Sequence, residues 1–273
     1  MSVFWVTGAS SGFGHDCAVE LLKKGHTVYV SARNAESMKD LAQMCAKVLP
    51  VDVTKEEDIQ QAVAVIQQEQ GRLDGLLANA GYGVYGMVES IPINDIQKQF
   101  DVNVFGVARC IQAVLPMMRQ ARSGRIVITE SLAAHASTVG IGWYAASKHA
   151  LRGMHVALRQ EVAALGVKVI AIEPGRVKTR FGNVACEGLL EREKEADYQQ
   201  LSRDFVDYMD RPTMWRTATT QSTVDAMVHA LTAPKPRTVY RTTKDARLFP
   251  ILLKWLPDAW YDSIILKKIT GQI

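Results

Sequence analysis

Short runs of β-branched and apolar residues alternate with longer helix-prone stretches along most of the chain. The runs are almost continuously apolar, as expected for strands that are buried on both faces of a parallel sheet. The predicted strands are Val3–Thr7, Thr27–Ser31, Lys47–Val51, Leu73–Ala78, Arg125–Thr129, Val167–Ile172 and a weaker seventh near Thr238–Arg241. This alternation predicts an α/β protein with a doubly wound parallel sheet of about seven strands and helices on both faces. We expect a single domain over residues 1–273.

Helices are predicted in most of the intervals between these strands. The predicted helices are Gly14–Lys24, Ala35–Ala46, Lys55–Gln70, Ile93–Arg119, Ile141–Leu165 and Val224–Thr232. Residues 181–215 break the alternation, because they are polar, charged and long for a plain connection. They follow the sixth strand, at the edge of the sheet where ligands of such folds bind. This segment is therefore a candidate substrate lid, and a solvated surface helix is the alternative.

The charge of the chain is unevenly distributed. It has 32 Lys and Arg against 28 Asp and Glu, but residues 233–273 alone hold eight basic residues against three acidic ones. The rest of the chain is nearly balanced, which argues against a nucleic-acid partner. Residues 244–273 are predicted to form a helical extension that packs on its own domain or on a partner subunit. The alternative is a helix face that meets a membrane surface or borders the entrance for a lipophilic substrate. A weak membrane contact is considered because this basic tail has tryptophans beside its lysines.

The cysteines give no sign of disulfides or of a metal site. Cys17, Cys45, Cys110 and Cys186 are far apart, with no C-x-x-C pair and no histidine at metal-ligand spacing. We therefore expect reduced thiols, a cytoplasmic protein and no bound metal.

The first predicted strand runs through closely spaced glycines into a helix. Such a turn lets a pyrophosphate approach the backbone, and the helix N-terminus offers unpaired N–H groups to it. The expected contacts are Gly8, Ser10, Ser11, Gly12, Phe13 and Gly14. The spacing is G-x-x-x-G-x-G rather than the common G-x-G-x-x-G, so a purely structural glycine turn is the alternative.

The end of the second strand indicates which dinucleotide is bound. An NAD site places an acidic residue there to bond the ribose 2′-hydroxyl. This chain has Ala32 followed by Arg33, and a guanidinium can hold a 2′-phosphate with charge-assisted bonds. The sequence therefore favours NADP(H).

Tyr144 and Lys148 lie one turn apart in a predicted helix and so share one face. The spacing alone is weak evidence, since Tyr240 and Lys244 repeat it in a predicted strand and loop. Other polar residues strengthen the first pair. Ser131 follows the fifth predicted strand, Asn103 lies in the preceding helix, and residues 79–81 (Asn-Ala-Gly) follow the fourth strand. These strand ends meet at the edge of the sheet that carries the glycine loop.

As a set, these motifs resemble the short-chain dehydrogenase/reductase family, with its Rossmann-type fold, from Ser2 to about Thr179. The steroid and retinol branch, similar to 17β-hydroxysteroid dehydrogenases, looks closest. The family's Asn-Ser-Tyr-Lys catalytic tetrad matches Asn103, Ser131, Tyr144 and Lys148. The resemblance further implies cofactor contacts at Gly8, Ser10, Ser11, Gly12, Phe13, Gly14, Arg33, Asp52, Val53, Asn79, Ala80, Gly81, Tyr144, Lys148, Pro174, Gly175, Val177 and Thr179.

The resemblance also implies an activity. Tyr144 would exchange a proton with a lipophilic alcohol or carbonyl, and Ser131 would bond the same oxygen. Lys148, together with an oxidised nicotinamide, would lower the pKa of Tyr144. Lys148 would also bond the nicotinamide ribose, and Asn103 would hold a water that relays protons. Relatives commonly form homodimers or homotetramers. A dinucleotide-sensing protein without turnover is the alternative, although none of the tetrad residues is lost.

Two positions depart from the family pattern. Ala78 replaces a frequent asparagine, and Glu130 stands where a small residue usually precedes the serine. We expect the Glu130 side chain to turn away from the site. An inward orientation would weaken the expectation of an apolar substrate.

Overall fold

The computed structural model describes residues 1–177, 179–211 and 219–272. Its centre is one sheet in which every neighbouring pair of strands is parallel. The strands are β1 (Val3–Thr7), β2 (Thr27–Ala32), β3 (Lys47–Pro50), β4 (Gly75–Ala78), β5 (Gly124–Thr129), β6 (Val167–Glu173) and β7 (Val239–Arg241). Their spatial order is β3-β2-β1-β4-β5-β6-β7. The predicted fold class is confirmed, and the strand boundaries differ from the predicted ones by at most two residues.

Helices cover both faces of this sheet. They are α1 (Gly12–Lys23), α2 (Lys39–Gln43), α3 (Glu56–Gln70), α4 (Ile93–Phe100), α5 (Val107–Gln120), α6 (Gly142–Glu161), α7 (Arg180–Arg192), α8 (Ala196–Asp210), α9 (Thr220–Thr232), α10 (Lys244–Leu252) and α11 (Asp258–Ile269). The continuous helix predicted over Ala35–Ala46 is wrong. A 3₁₀ turn at Ala35–Met38, capped by the Asn34 side chain, precedes the short α2, and Cys45 then adopts a left-handed φ of 69°.

The predicted helix Ile93–Arg119 is interrupted as well, because a π-helical turn at Asp101–Gly106 separates α4 from α5. By length and composition, the whole stretch Ile93–Gln120 would suffice to span a membrane. The buried side chains of α5, among them Ile111 and Val114, belong to the core beneath the sheet. Packing on the sheet therefore accounts for this apolar composition.

The core lies on both sides of the sheet because neighbouring strand residues point to opposite faces. On β1, Trp5 packs in a cluster with α3, α5 and α6, whereas Phe4 packs in a cluster with α1 and α9. Both side chains are buried, which explains the continuous apolar runs in the sequence.

The order of the strands determines where a ligand can bind. β1 pairs with β2 on one side and with β4 on the other, so the chain connections diverge at the carboxyl end of β1. Such a divergence opens a crevice at the carboxyl edge of the sheet. The glycine loop follows β1 and the Asn79–Gly81 segment follows β4, so both lie at this crevice.

The proposed lid segment forms two helices, α7 and α8, rather than one. Residues 212–215 of the predicted segment lie outside the described residues. α8 packs against α11, and the α11 residues Ile265 and Ile269 are buried. The C-terminal extension therefore packs on its own chain.

Candidate active site

A cavity of about 790 Å³ opens at the carboxyl edge of the sheet. It extends from the glycine loop to α6 and on to α8 and α11. It contains most of the site residues predicted from the sequence. Those that line it are Gly8, Ser10, Ser11, Gly12, Phe13, Asn79, Gly81, Ser131, Tyr144, Lys148, Pro174, Gly175, Val177 and Thr179.

The glycine loop is shaped so that its backbone can lie against a ligand. Gly8 and Gly12 adopt φ values of 66° and 61°, which side chains rarely tolerate. A Cβ on Gly12 would meet nothing within 4 Å, so this backbone faces open space. Asn79 supports the loop, since its Nδ2 donates to the carbonyls of Thr7 and Gly8 at 3.2 Å each. Backbone N–H groups at the start of α1 are thus available to a phosphate, as a dinucleotide site requires.

Two residues of the predicted contact set support the loop from behind rather than line the cavity. A Cβ on Gly14 would lie 2.6 Å from the carbonyl oxygen of Gly8, so only glycine fits at this position. The backbone of Ala80 packs equally closely beneath Gly8, 2.7 Å from the position of a Gly8 Cβ. Both are therefore packing residues of the loop.

Arg33, Asp52 and Val53 also lie outside the cavity lining. Arg33 is exposed at the end of β2. Asp52 accepts hydrogen bonds from the Thr54 amide and hydroxyl, at 3.0 and 2.8 Å. Burial raises the pKa of Asp52, but the Thr54 hydrogen bonds and the charges of Arg33 and Lys55 outweigh burial and lower it. The Val53 side chain packs against Gly106.

Asn103 lies in the π-helical turn, directly behind the cavity lining. Its Nδ2 donates to the Tyr82 carbonyl at 2.9 Å and to Ser147 Oγ at 3.3 Å, and its Oδ1 accepts from the Tyr82 amide at 3.0 Å. π turns inside helices often occur at functional positions. Here the turn joins Asn103 to α6 through Ser147 and to the loop after β4 through Tyr82.

Tyr144, Lys148 and Ser131 converge at the centre of the cavity. Tyr144 and Lys148 lie one turn apart on α6, and Lys148 Nζ is 5.8 Å from the centroid of the Tyr144 ring. Nζ donates to the Thr129 carbonyl at the end of β5, at 2.8 Å. Ser131 is close enough to Tyr144 to influence the pKa of its phenol, and its Oγ accepts from the Ala133 amide at 3.1 Å. Three polar groups are thus held at one point by β5 and α6.

Burial has the largest influence on the ionisation of Tyr144 and Lys148. Burial raises the pKa of Tyr144 to about 12, and the hydrogen bond with Ser131 lowers it only in part. The expected lowering of the Tyr144 pKa depends on an oxidised nicotinamide as well as on Lys148, and it stays a prediction. Burial lowers the pKa of Lys148 to about 8, while the nearby Glu130 charge acts to raise it. At neutral pH this environment keeps Tyr144 protonated, as a proton donor must be.

The same architecture occurs in known proteins. The short chain dehydrogenase family model matches residues 2–188. A probable short-chain type dehydrogenase/reductase of Helicobacter pylori, VdlC, is 30% identical over 267 residues, which is 98% of this chain and 97% of that protein. The chain belongs to the short-chain dehydrogenase family.

Further similarities agree with this membership. The rat 17-beta-hydroxysteroid dehydrogenase type 6 is 32% identical over 96% of this chain and 86% of its own length. The crystal structure of a short-chain dehydrogenase from Streptomyces avermitilis is 29% identical, covers 100% of this chain and 99% of its own, and superposes with a TM-score of 0.81. The protein is therefore an oxidoreductase that acts on CH–OH groups.

If carbonyl reduction requires the charged form of Lys148, the pKa of this lysine predicts how the activity depends on pH. The charged form of Lys148 is lost as pH rises through about 8, while Tyr144 stays protonated until about 12. We expect kcat/KM for the reduced nicotinamide cofactor, which reports ionisations of the free enzyme, to fall above about pH 8. A steady-state pH profile from 6 to 10 measures this. A flat profile over that range would contradict the assigned role of the Lys148 charge.

Glu130, the unusual residue before Ser131, is directed toward α6. Its carboxylate pairs with Nδ1 of His155, two turns beyond Lys148 on the same helix. Both side chains are buried, and within the described residues neither has a hydrogen-bond partner outside this ion pair. Glu130 also borders the cavity. The pair therefore lies close to Ser131 and Lys148, between β5 and α6.

Removal of His155 should destabilise the protein strongly, because it leaves a buried carboxylate without a partner. For His155→Ala we expect a loss of about 3–5 kcal/mol in the free energy of unfolding, measured by urea denaturation. The double variant Glu130→Ser, His155→Ser should lose less, since no unpaired charge is left. His149→Ala is the matched control, because within the described residues His149 bonds only to the Ala145 carbonyl of its own helix. Equal losses for His155→Ala and His149→Ala would show that the ion pair contributes nothing.

The sequence did not indicate the aromatic wall of the cavity. Tyr85, Tyr144 and Phe181 pack against one another with ring centroids 5.7 to 6.5 Å apart, and Phe205 contacts Tyr85 at 6.2 Å. They come from the loop after β4 and from α6, α7 and α8. From α11, Ile265 joins the same apolar cluster. No motif links these distant segments, and the apolar spacing within α7, α8 and α11 is the one signal that could have indicated them.

Proposed function

We propose that this dehydrogenase-family protein uses NADP(H) to interconvert a lipophilic carbonyl compound and its primary or secondary alcohol. The convergence of Ser131, Tyr144 and Lys148 between the glycine loop and an aromatic wall carries this proposal. The alternative of a non-catalytic dinucleotide sensor gives no reason for a buried tyrosine and lysine at this point.

The protein's own residues would manage the proton. A bound NADPH would supply the hydride to the carbonyl carbon. Tyr144, protonated at neutral pH, donates its proton to the carbonyl oxygen, while Ser131 donates a hydrogen bond to the same oxygen. Lys148 holds a positive charge beside the phenol, and Asn103 fixes α6 through Ser147. In alcohol oxidation, the proton returns to Tyr144.

The preference for NADP(H) rests on the end of β2. Ala32 offers no carboxylate to a ribose 2′-hydroxyl, and the adjacent Arg33 is exposed near the crevice. A guanidinium there would bind a 2′-phosphate. Gly8, Ser10, Ser11, Gly12 and Phe13 would line the rest of the nucleotide, with Thr179 and Val177 at its nicotinamide end.

The composition of the cavity wall supports the proposal that the substrate is lipophilic. Beyond Tyr144, the lining is aromatic and aliphatic, with Tyr85, Phe181, Val184 and Ile265. α7 and α8 border this part of the cavity, and we propose that they act as the lid. The name of the rat relative denotes a steroid substrate, which is a compound of this class.

A panel of carbonyl compounds tests the proposal. Ketosteroids, retinal, aromatic aldehydes and small diketones are supplied with NADPH, and the loss of absorbance at 340 nm is followed. We expect turnover of apolar members and a preference for them over small polar carbonyls. If NADPH binds but no member is reduced, and no matching alcohol is oxidised with NADP⁺, the sensor alternative is favoured.

The assembly and location of the protein are further proposals. We propose one domain over 1–273, since a single sheet connects β1 to β7, and a homodimer or homotetramer as in relatives. Exposed Ile93 and Phe105 on the α4–α5 segment support such an interface. We also propose a cytoplasmic location, because Cys17, Cys45, Cys110 and Cys186 are all free thiols.

We propose that the C-terminal tail makes a weak contact with an anionic membrane surface. Trp255 and Trp260 are 85% and 67% exposed, close to Lys254 and to the exposed Ile251 and Leu252. We expect the full-length protein to co-sediment with phosphatidylserine vesicles at low salt and to be released at high salt. Trp255→Ser with Trp260→Ser should abolish this binding and leave activity on water-soluble carbonyls intact. If wild-type protein stays in the supernatant at low salt, the membrane proposal is wrong.

A further inference from the structure

Two side chains at the start of α10 hold the β6 loop, which we define as residues Pro174–Arg176. Thr243 and Asp245 are both buried. The Gly175 amide donates to Thr243 Oγ1 at 3.0 Å, and the Arg176 amide donates to Asp245 Oδ2 at 3.1 Å. Two consecutive amides of the loop are thus bound by side chains that lie almost 70 positions further along the chain.

The contact between these two segments is close and specific. A Cβ on Gly175 would collide with both the Thr243 and the Asp245 side chains. The Thr243 hydroxyl donates to Asp245 Oδ1 and accepts from the amides of Gly175 and Ala246. It therefore uses its one donor and both of its acceptor positions. The β6 loop rests on a surface whose own groups are fixed.

Helix capping alone does not account for this arrangement. Thr243 is the N-cap of α10, and its Oγ1 accepts from the Ala246 amide at 3.3 Å, as N-cap residues commonly do. Asp245 accepts from the same amide at 2.9 Å, and an acidic residue is common in a first turn. Neither role requires burial or a bond to another segment. Both side chains have the two, which points to a further role at the β6 loop.

The β6 loop lies beside the catalytic residues. The Pro174 carbonyl accepts from the amide of Leu132, the residue after Ser131, at 2.8 Å. The loop lines the same cavity as Tyr144. In the sheet, β6 adjoins β5, whereas three strand spacings, about 14 Å, separate it from β1 and the glycine loop. The loop therefore borders the part of the cavity where a hydride would be transferred, away from the phosphate-binding turn.

Glu173 anchors the beginning of the same loop. Its buried carboxylate accepts from Arg241 Nε at 2.9 Å and pairs with His135 Nε2 at 2.8 Å. Arg241 ends β7, two residues before Thr243, and His135 belongs to the segment that follows Ser131. The β6 loop is thus held from both of its ends, and the start of the C-terminal extension contributes at each end.

We propose that Thr243 and Asp245 are positioning residues of the cofactor site, which fix the β6 loop against the nicotinamide end of a bound dinucleotide. They act through the loop rather than on the reacting atoms. The proposal rests on the proposed function only in requiring a nicotinamide dinucleotide, and it does not depend on which carbonyl compound is reduced. It extends the cofactor site to the beginning of the C-terminal extension.

Two nucleotides test this proposal without turnover. NADP⁺ carries the nicotinamide, whereas adenosine 2′,5′-bisphosphate carries the 2′-phosphate but lacks the nicotinamide and its ribose. The Kd of each is measured by calorimetry, and NAD⁺ with ADP replaces this pair if the wild type prefers NAD⁺. In Thr243→Val we expect the Kd of the dinucleotide to rise about 3- to 10-fold relative to that of the shorter nucleotide, the usual contribution of a hydrogen bond. Thr243→Ser keeps the hydroxyl and should restore the wild-type ratio.

Thr242→Val is the matched control. Thr242 is buried as well, but its hydroxyl shares a hydrogen bond of 2.8 Å with Thr223 Oγ1 on α9 instead of bonding to the β6 loop. The same substitution one residue earlier should lower the thermal midpoint and leave the ratio of the two Kd values unchanged. Asp245→Asn should shift this ratio in the same direction as Thr243→Val, because an amide has one acceptor oxygen where the carboxylate has two.

The outcomes separate this proposal from the proposed function. A ratio that stays at the wild-type value in Thr243→Val, or that shifts equally in Thr242→Val, overturns the positioning role and leaves the proposed function intact. A shift in Thr243→Val that Thr243→Ser reverses supports the positioning role even if no carbonyl of the panel is reduced, in which case the proposed function alone fails.

Discussion

Replacement of Tyr144 by phenylalanine should lower kcat for carbonyl reduction by about 10²–10⁴-fold, the usual contribution of a positioned acid. The variant removes one hydroxyl at the point where Ser131 and Lys148 converge. The ring itself stays and still packs against Tyr85 and Phe181. Nucleotide affinity should therefore change little, which a titration of NADPH fluorescence measures alongside steady-state turnover.

Tyr240→Phe is the matched control for this prediction. Tyr240 and Lys244 repeat the Tyr-x-x-x-Lys spacing, but Tyr240 lies on β7 and its hydroxyl bonds to His229 at 2.7 Å. Lys244 begins α10. Turnover in this variant should stay within a few-fold of the wild type. Wild-type turnover in Tyr144→Phe, or equal losses in the two variants, would show that Tyr144 is not the proton donor.

A second large effect is expected at the end of β2. Ala32→Asp with Arg33→Ile should weaken NADPH binding and strengthen NADH binding. The change removes a partner of the 2′-phosphate and adds an acceptor for the ribose hydroxyl. The loss of one charged hydrogen-bond partner costs about 1.5–3 kcal/mol, or about 10–150-fold in NADPH affinity. The ratio of kcat/KM for the two cofactors measures the switch.

Lys55→Ile controls for a general loss of positive charge near this site. Like Arg33, Lys55 acts on the pKa of Asp52, but it has no predicted contact with the nucleotide. It should leave the cofactor ratio nearly unchanged. An unchanged NADPH preference in the Ala32 and Arg33 variant would contradict the assignment of the 2′-phosphate site.

The sequence indicated the parts of the fold and site that depend on local patterns. Continuous apolar runs such as Val3–Thr7 are typical of strands in a sheet that is covered on both faces. The glycines of the loop after β1 and the spacing from Tyr144 to Lys148 are local as well, and Gly8, Gly12, Tyr144 and Lys148 all line the cavity. The predicted helix Ile93–Arg119 contains Asn103, but the sequence did not predict the π-helical turn at this residue. The hydrogen bonds of Asn103 to Tyr82 and Ser147 join it to distant segments, which a local pattern does not reveal.

The remaining features arise from tertiary contacts. The Glu130–His155 pair joins two residues 25 positions apart, and nothing in either local sequence indicates the other. The degree of burial of Tyr144 and Lys148, which raises the pKa of the first and lowers that of the second, is also a tertiary property. The bonds of Thr243 and Asp245 to the β6 loop likewise join distant segments, and no local pattern indicates them.

Deuterium transfer tests the central claim most directly. The enzyme is given NADPH labelled with deuterium at the reactive C4 position and the most reactive carbonyl of the panel, and the product alcohol is examined by mass spectrometry. We expect one deuterium on the carbinol carbon, while the hydroxyl proton, delivered by Tyr144, comes from solvent. An unlabelled product, or no alcohol at all under conditions where NADPH binds, would contradict the account.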